Sequence, residues 1–272
     1  MTISRRDLLI AMGALPMVVR GEQAHAAAST VKPRHVLCFL GGEGQLAQLS
    51  DAASLAIQKF AAGFSIDTTY SQDKPDPRMT RSFGVSWDRV APNAWTGADE
   101  SAVVNHQSVL YVLGPRMSAD NAVTCSVGAL FLVHAVIKAG ATALKGESAG
   151  VAHGLPRWAE LTRQAAAALQ SDDDAGASRA CRLAFAKRPL DNGTWTETVG
   201  YHLVGLPEVY VAKSYGTERE VAALMDTVGD ELAQRGLQAV LRDHRARLSH
   251  VSSYQPGDFK FNPYGIVYVD QS

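Results

Sequence analysis

The sequence predicts an α+β protein, with a mainly antiparallel sheet and helices packed on one of its faces. Three observations lead there. Short apolar runs such as His35–Leu40 and His106–Leu113 have the length and composition of buried strands. Leu46, Leu49, Ala53, Ile57, Phe60 and Phe64 recur at the i+3/i+4 spacing of an amphipathic helix. Asp191-Asn192-Gly193, between two strand-like runs, is a turn that joins antiparallel neighbours. Hairpins mixed with helices favour α+β over a regularly alternating parallel sheet. The length leaves two similar lobes and one continuous domain both open.

The chain opens on Ser4-Arg5-Arg6-Asp7-Leu8-Leu9, and an apolar run follows to Val19, broken by Gly13 and Pro16. That run falls short of the roughly 20 residues a bilayer span needs. Ala24-His25-Ala26 supplies a small-x-small cleavage site. Residues 1–26 therefore read as a twin-arginine signal peptide, with Arg5 and Arg6 presented to the export machinery and cleavage near Ala26. The expected mature protein is periplasmic or secreted and carries no membrane span. Residues 27–33 read as a linker. Removing residues 1–26 leaves 23 basic and 25 acidic residues, a formal charge of −2. Near-neutrality gives no footprint for nucleic acid or an anionic membrane.

Residues 34–171 read as an N-terminal α/β lobe. Strand His35–Leu40 breaks at Gly41, Gly42 and Gly44, and a helix starts at Leu46. Ile66–Tyr70 is strand-like, residues 71–81 a loop with Pro75 and Pro77, Phe83–Trp87 a weak edge strand, and 88–101 another loop. After strand His106–Leu113, Ser118–Lys138 is a helix that is apolar on nearly every side from Ala122 to Ile137, so it should be the most buried helix. Strand Thr142–Lys145 and helix Pro156–Leu169 follow, and the polar stretch Asp172–Gly176 is the best lobe boundary. Residues 177–272 read as a C-terminal α+β lobe. It opens with strand-like runs Arg179–Arg188 and Thr194–Val204, then Glu208–Lys213. Thr217 and Glu220 form a capping box, with Val221, Leu224, Met225, Val228 and Leu232 on one helical face and Gly236 as the stop. Strands Leu248–Tyr254 and Phe261–Val269 flank Pro256-Gly257-Asp258.

Gly146-Glu147-Ser148-Ala149-Gly150 fits the G-x-S-x-G of a hydrolase elbow, where a strained serine meets a histidine oriented by an acid. Such an elbow runs straight into a helix, whereas Gly154 and Pro156 follow here. In a hydrolase reading, Ser148 would need His202 or His250 as its base, with Asp226 or Asp230 among the acids and His244 a further base candidate. A tight turn explains the small residues better. Glu147, His153 and His202 are the binding candidates, because they lie in Gly-flanked, loop-proximal segments. Gly41-Gly42-Glu43-Gly44 reads as a strand-to-helix turn, since Glu43 would repel phosphate. Cys38, Cys125 and Cys181 are widely spaced and odd in number, which leaves buried thiols or a single disulfide. No cofactor motif and no metal-ligand spacing stands in the sequence.

Four segments together resemble the bacterial domain-of-unknown-function family 4261. They are His106-Gln107 leading into Val109–Leu113; Thr142–Lys145 with Gly150-Val151-Ala152-His153; Thr198 to Glu208; and Asn262-Pro263-Tyr264-Gly265. The Thr-x-Gly…Gly-Leu-Pro-Glu run is the most specific. The resemblance implies a fold across most of the mature chain and brings no catalytic residues with it.

These readings favour an exported cell-envelope binding or interaction protein with an unidentified protein or small-molecule partner. A periplasmic serine hydrolase using Ser148 is the alternative. Export is expected to depend on the arginine pair. Replacing Arg5 and Arg6 together with Lys should abolish the mature form in periplasmic fractions, and undiminished export would remove the twin-arginine assignment.

Overall fold

Strand alternation sets the first sheet. In β1 (Val36–Gly41), Leu37 and Phe39 face one side, Cys38 and Leu40 the other, and all four are fully buried. A strand with both faces covered belongs in the middle of a sheet, and β1 pairs antiparallel with both β3 (Ser108–Leu113) and β4 (Ala143–Gly146). With β2 (Ser65–Gln72) beyond β3 and β5 (Val151–Ala152) beyond β4, the order is β2-β3-β1-β4-β5. Helix α1 (Leu46–Lys59) links β1 to β2, and α4 (Ala119–Lys138) links β3 to β4. This is the split β-α-β arrangement of ferredoxin-like sheets. The structure is a computed structural model and describes residues 32–245, 247–252 and 263–270. The expected signal peptide with Arg5 and Arg6, most of the expected 27–33 linker and the expected turn at Pro256-Gly257-Asp258 lie outside the described residues.

Helices α1, α4, α5 (Leu155–Gln170) and α6 (Asp174–Phe185) cover the Leu37/Phe39 face. Two short helices, α2 (Met79–Gly84) and α3 (Gly97–Val104), cover part of the other, setting Met79, Phe83 and Val103 against Cys38 and Leu40. The second sheet, β6 (Lys187–Asp191), β7 (Trp195–Val199), β8 (Glu208–Ala212), β9 (Leu248–Val251) and β10 (Ile266–Val269), has the order β6-β7-β8-β10-β9. Among the described residues, only the β8–β10 pair in it is parallel. Helix α7 (Glu218–Arg235) lays Val221, Met225, Val228 and Leu232 on Val209, Val211 and Val267, and α8 (Leu237–Asp243) adds Val240. The two sheets have the same number of strands and different connectivity. The α+β expectation, the Thr217/Glu220 capping box and the Asn192-Gly193 hairpin all stand.

Several elements differ from expectation, each for a local reason. Phe83–Trp87 is not an edge strand: Phe83 and Gly84 end α2, and only Trp87 bridges to Ala152. The 88–101 loop hides the start of α3, capped by Thr96 and Asp99. Arg179–Arg188 is not a strand up to Phe185, because Ala177, Ala180, Cys181, Ala184 and Phe185 form a helical stripe buried in the first core. Asp172–Gly176 is accordingly the turn of an α5–α6 hairpin, and the two cores meet at Phe185–Ala186. Helix α4 buries nine of its 20 residues, whereas α6 buries seven of 12, so α4 is not proportionally the most buried. Its remaining strip, with Val123 and Phe131, faces an open groove. All three cysteines are free thiols; Cys38 and Cys181 are buried and Cys125 half-buried.

The two cores are joined around one carboxylate. Glu208, 3% exposed, accepts hydrogen bonds from Thr198 Oγ1 (2.6 Å), His202 Nδ1 (2.7 Å) and the backbone N–H groups of Gly200 (3.0 Å), Tyr201 (3.2 Å) and His202 (3.1 Å). Burial alone would raise its pKa; the His202 ring, the Thr198 hydroxyl and the N–H donors outweigh burial and hold it below the usual carboxylate range. The 3₁₀ turn Tyr201–Val204 so formed is flanked by Gly200 (φ +120°) and Gly205 (φ +78°), where a Cβ would meet Phe185 O at 2.7 Å and Ala119 O at 2.8 Å. His35 Nε2–H donates to Ser126 Oγ (2.7 Å), which donates to Leu203 O (2.6 Å), so β1, α4 and this turn are tied in series. On the far side Arg182 meets Asp230 at 2.5 Å and lies over the Tyr201 ring, while Arg188 meets Asp226 at 2.6 Å. Glu208→Gln keeps the shape and removes the charge. It should cost about 1.5–3 kcal/mol in urea denaturation, the range for hydrogen bonds to a charged group; a loss below about 0.5 kcal/mol would show that the turn does not rest on this carboxylate.

Candidate functional site

The outer face of the first sheet carries an unusual row. Strand register places Asp67 opposite Tyr111, Tyr111 opposite Cys38, and Cys38 opposite Lys145. Four polar or ionisable residues thus lie side by side across β2, β3, β1 and β4, on the face left only partly covered by α2 and α3. A cleft of about 410 Å³, within the size range of small-ligand sites, opens beside this row; Asp67 and Tyr111 line it, while Cys38 and Lys145 are buried behind it.

Lys145 lies buried behind the cleft lining, bonded to two residues of it, Glu147 and Ser82. Its side chain is 2% exposed, and its Nζ lies 2.9 Å from Glu147 Oε2, donates to Ser82 Oγ and sits over the Phe83 ring. Removing a buried ammonium from water is costly unless it is paired and hydrogen-bonded, and Glu147 and Ser82 meet both needs. Burial, followed by the Glu147 charge, pushes the Cys38 thiol up to about 12, so it is not a thiolate nucleophile near neutrality. Burial and Cys38 likewise raise the Tyr111 hydroxyl.

The walls come from a bulge and a loop. Between Asp67 and Gln72 the β2–β3 register shifts; Asp67 Oδ1 accepts the N–H groups of Thr69 (2.9 Å) and Tyr70 (3.3 Å), and Ser71 Oγ accepts from Tyr111 N. Bulges re-aim side chains beside sites, and this one leaves Tyr70 63% exposed, edge-on to Tyr111 at 6.2 Å. Opposite stands Arg78, whose guanidinium is held by both Asp76 oxygens at 2.9 and 2.6 Å. That fork keeps the Asp76 carboxyl below its usual range. The loop is pinned by Asp76 N–H donating to His106 Nε2 (2.9 Å), while His106 Nδ1 donates to Val103 O (2.6 Å).

Of the residues singled out from sequence, Glu147 alone lines this cleft. Ser148 does not. Its hydroxyl donates to Arg34 O (2.8 Å) and accepts Val36 N–H (2.9 Å), locking the start of β1. The GESAG turn joins β4 to β5 as a hairpin, with Gly150 at φ +66°, and is not the strand-to-helix turn of a hydrolase. His202 is committed to Glu208, and His250 Nε2 lies 3.3 Å from Tyr264 O in the second sheet's region. Asp226 and Asp230 hold Arg188 and Arg182, and His244 pairs with Glu231 at 2.9 Å. His153 is buried, donating Nε2–H to Ala184 O (3.1 Å) with Asp88 3.7 Å from Nδ1; it anchors the end of α6. Gly42 N–H is capped by Gln45 Oε1 (2.7 Å), making Gly41–Gly44 a self-satisfied turn. No group of three or more His, Cys, Asp or Glu side chains is placed to share a metal ion among the described residues.

Sequence reasoning passed over Tyr70, Arg78, Ser82, Tyr111 and Lys145. One signal was available: Lys145 is the lone ionisable residue in the apolar strand Ala143–Gly146, where a charge is costly without a purpose. Neither the family models, nor curated proteins, nor solved structures give a match to this chain.

Two buried histidines make stability pH-dependent. Burial, then the nearby His202, lowers His35 to about 3; burial lowers His153 to about 4 against the opposing pull of Asp88. Both are neutral when folded and protonate near pH 6.5 when unfolded, so the unfolded state binds more protons below pH 6.5. Their contribution is complete above pH 6.5 and is lost as pH falls toward 4 for His153 and 3 for His35. Unfolding free energy should drop by about 2 kcal/mol per histidine between pH 6.5 and 5. His153→Gln should flatten that slope by about one proton; an unchanged slope would mean that His153 is not buried neutral.

Proposed function

We propose that this is an exported binding protein of the cell envelope, holding a small polar ligand in the cleft over Lys145 and performing no covalent chemistry on it. The observation that carries the reading is an open cleft lined by Asp67, Tyr70, Arg78, Ser82, Tyr111 and Glu147, with the buried Lys145 ammonium behind it satisfied by Glu147 and Ser82. Binding sites are concave, largely preformed, and carry a few placed polar groups among apolar ones; Val36, Met79 and Leu113 supply the apolar part. The arginine pair and the Ala24-His25-Ala26 site support export.

A serine hydrolase built on Ser148 has less support. An activated serine needs a base within hydrogen-bond reach, itself oriented by a third group. The Ser148 hydroxyl bonds instead to backbone on both sides. Two measurements on the mature protein separate the readings. In a thermal-shift screen of small polar metabolites, wild type should be stabilised by a ligand class that no longer stabilises Arg78→Ala, by about 2.7 kcal/mol at a hundredfold excess over Kd. Fluorophosphonate should leave Ser148 unlabelled. Labelling that disappears in Ser148→Ala would replace binding with hydrolysis, and ligands that stabilise wild type and Arg78→Ala equally would move the site elsewhere.

A further inference from the structure

We infer that the ligand of this cleft is a neutral saccharide; the inference rests on the binding reading above and names its ligand class. Every charge in the cleft already has an internal partner. Arg78 is held by Asp76, and Lys145 by Glu147. Asp67 accepts the backbone N–H groups of Thr69 and Tyr70. A charged ligand that took over either ion pair would leave its former partner uncompensated, which is strongly unfavourable for a group as buried as Lys145. An anionic ligand would also meet three carboxylates, Asp67, Asp76 and Glu147, against two cations. A neutral ligand displaces nothing.

What the walls still offer is directional. The Arg78 side chain is 77% exposed and keeps guanidinium protons beyond those given to Asp76; the Glu147 side chain is 26% exposed and keeps acceptor capacity; Ser82 has a hydroxyl proton free to donate, because it accepts from Lys145. Tyr70 supplies an exposed aromatic ring to the lining, and Met79 and Leu113 a small apolar patch. A molecule matching this set has hydroxyl groups around its rim, one C–H-rich face to lie on a tyrosine, and no net charge. A pyranose ring has all three. Pre-paired charged side chains serve it well, because their hydrogen-bonding edges are already oriented and little rotamer freedom remains to be lost on binding.

The test is calorimetric titration of the mature protein with a broad set of neutral mono- and disaccharides, glucose, N-acetylglucosamine and their β-1,4 disaccharides included. Glucose 6-phosphate, glutamate and putrescine are the charged probes. Neutral sugars are expected to bind, with glucose 6-phosphate at least about tenfold weaker than the neutral sugars. Tyr70→Ala should weaken the sugar about tenfold or more while Tyr70→Phe retains it, and neither should move the thermal midpoint of free protein, because Tyr70 is exposed. Sugar affinity unchanged in Tyr70→Ala would overturn the inference. So would tighter binding of a charged probe that depends on Tyr70 and Arg78, although the cleft would then still be the binding site. If no probe binds in a way that depends on Tyr70 or Arg78, the saccharide class and the binding reading fall together.

Discussion

Glu208 carries its charge where water does not reach, and a whole segment of chain is shaped around that fact. Five donors converge on its two oxygens, three of them backbone N–H groups released by the turn Gly200–Val204. A carboxylate so buried is tolerable only when fully hydrogen-bonded. The turn that satisfies it presses Leu203 and Val204 into the first core and Tyr201 into the second. The Arg182–Asp230 and Arg188–Asp226 pairs then fasten α6 and β6 to α7. Removing one partner of such a network leaves an uncompensated buried charge, so its members are expected to act together in stability.

The same principle governs the outer face of the first sheet, with the sign reversed. Lys145 is a buried cation, and Glu147 and Ser82 are the groups that make it tolerable. Glu208 lies sealed between two cores, whereas Lys145 lies under an opening, with α2 and α3 covering only part of the face above it. A buried ion pair is seldom more stabilising than apolar residues of the same volume would be, so packing alone does not account for Lys145 and Glu147. That contrast separates the two places: one is sealed between the cores and the other lies beside an open cleft.

Much of the fold was legible because its signals are local. The Thr217/Glu220 capping box, the Asn192-Gly193 turn and the apolar β1 and β3 runs each declare themselves within a few residues. Helix α6 reads as strand in sequence because its stripe of Ala and Cys is weakly apolar and ends next to the true strand Lys187–Asp191. The site was less legible for a different reason. Asp67, Tyr111, Cys38 and Lys145 come from four strands, and only the register brings them together. Glu147 was found through its place in a motif whose serine turned out to be a strand lock. His153 and His202 drew attention as histidines near glycines. Both serve burial: one fastens the end of α6, the other feeds Glu208.

The central claim is that the working surface of this protein is the outer face of its first sheet. Mapping a bound neutral saccharide onto the amide NMR spectrum of isotope-labelled mature protein tests it most directly. The expected result is a set of saturable shifts confined to the β2 bulge around Tyr70, to Ser82 on α2, and to Tyr111 and Glu147 across the sheet. Shifts centred instead on the groove beside α4, or on the edge formed by α7 and α8, would contradict it.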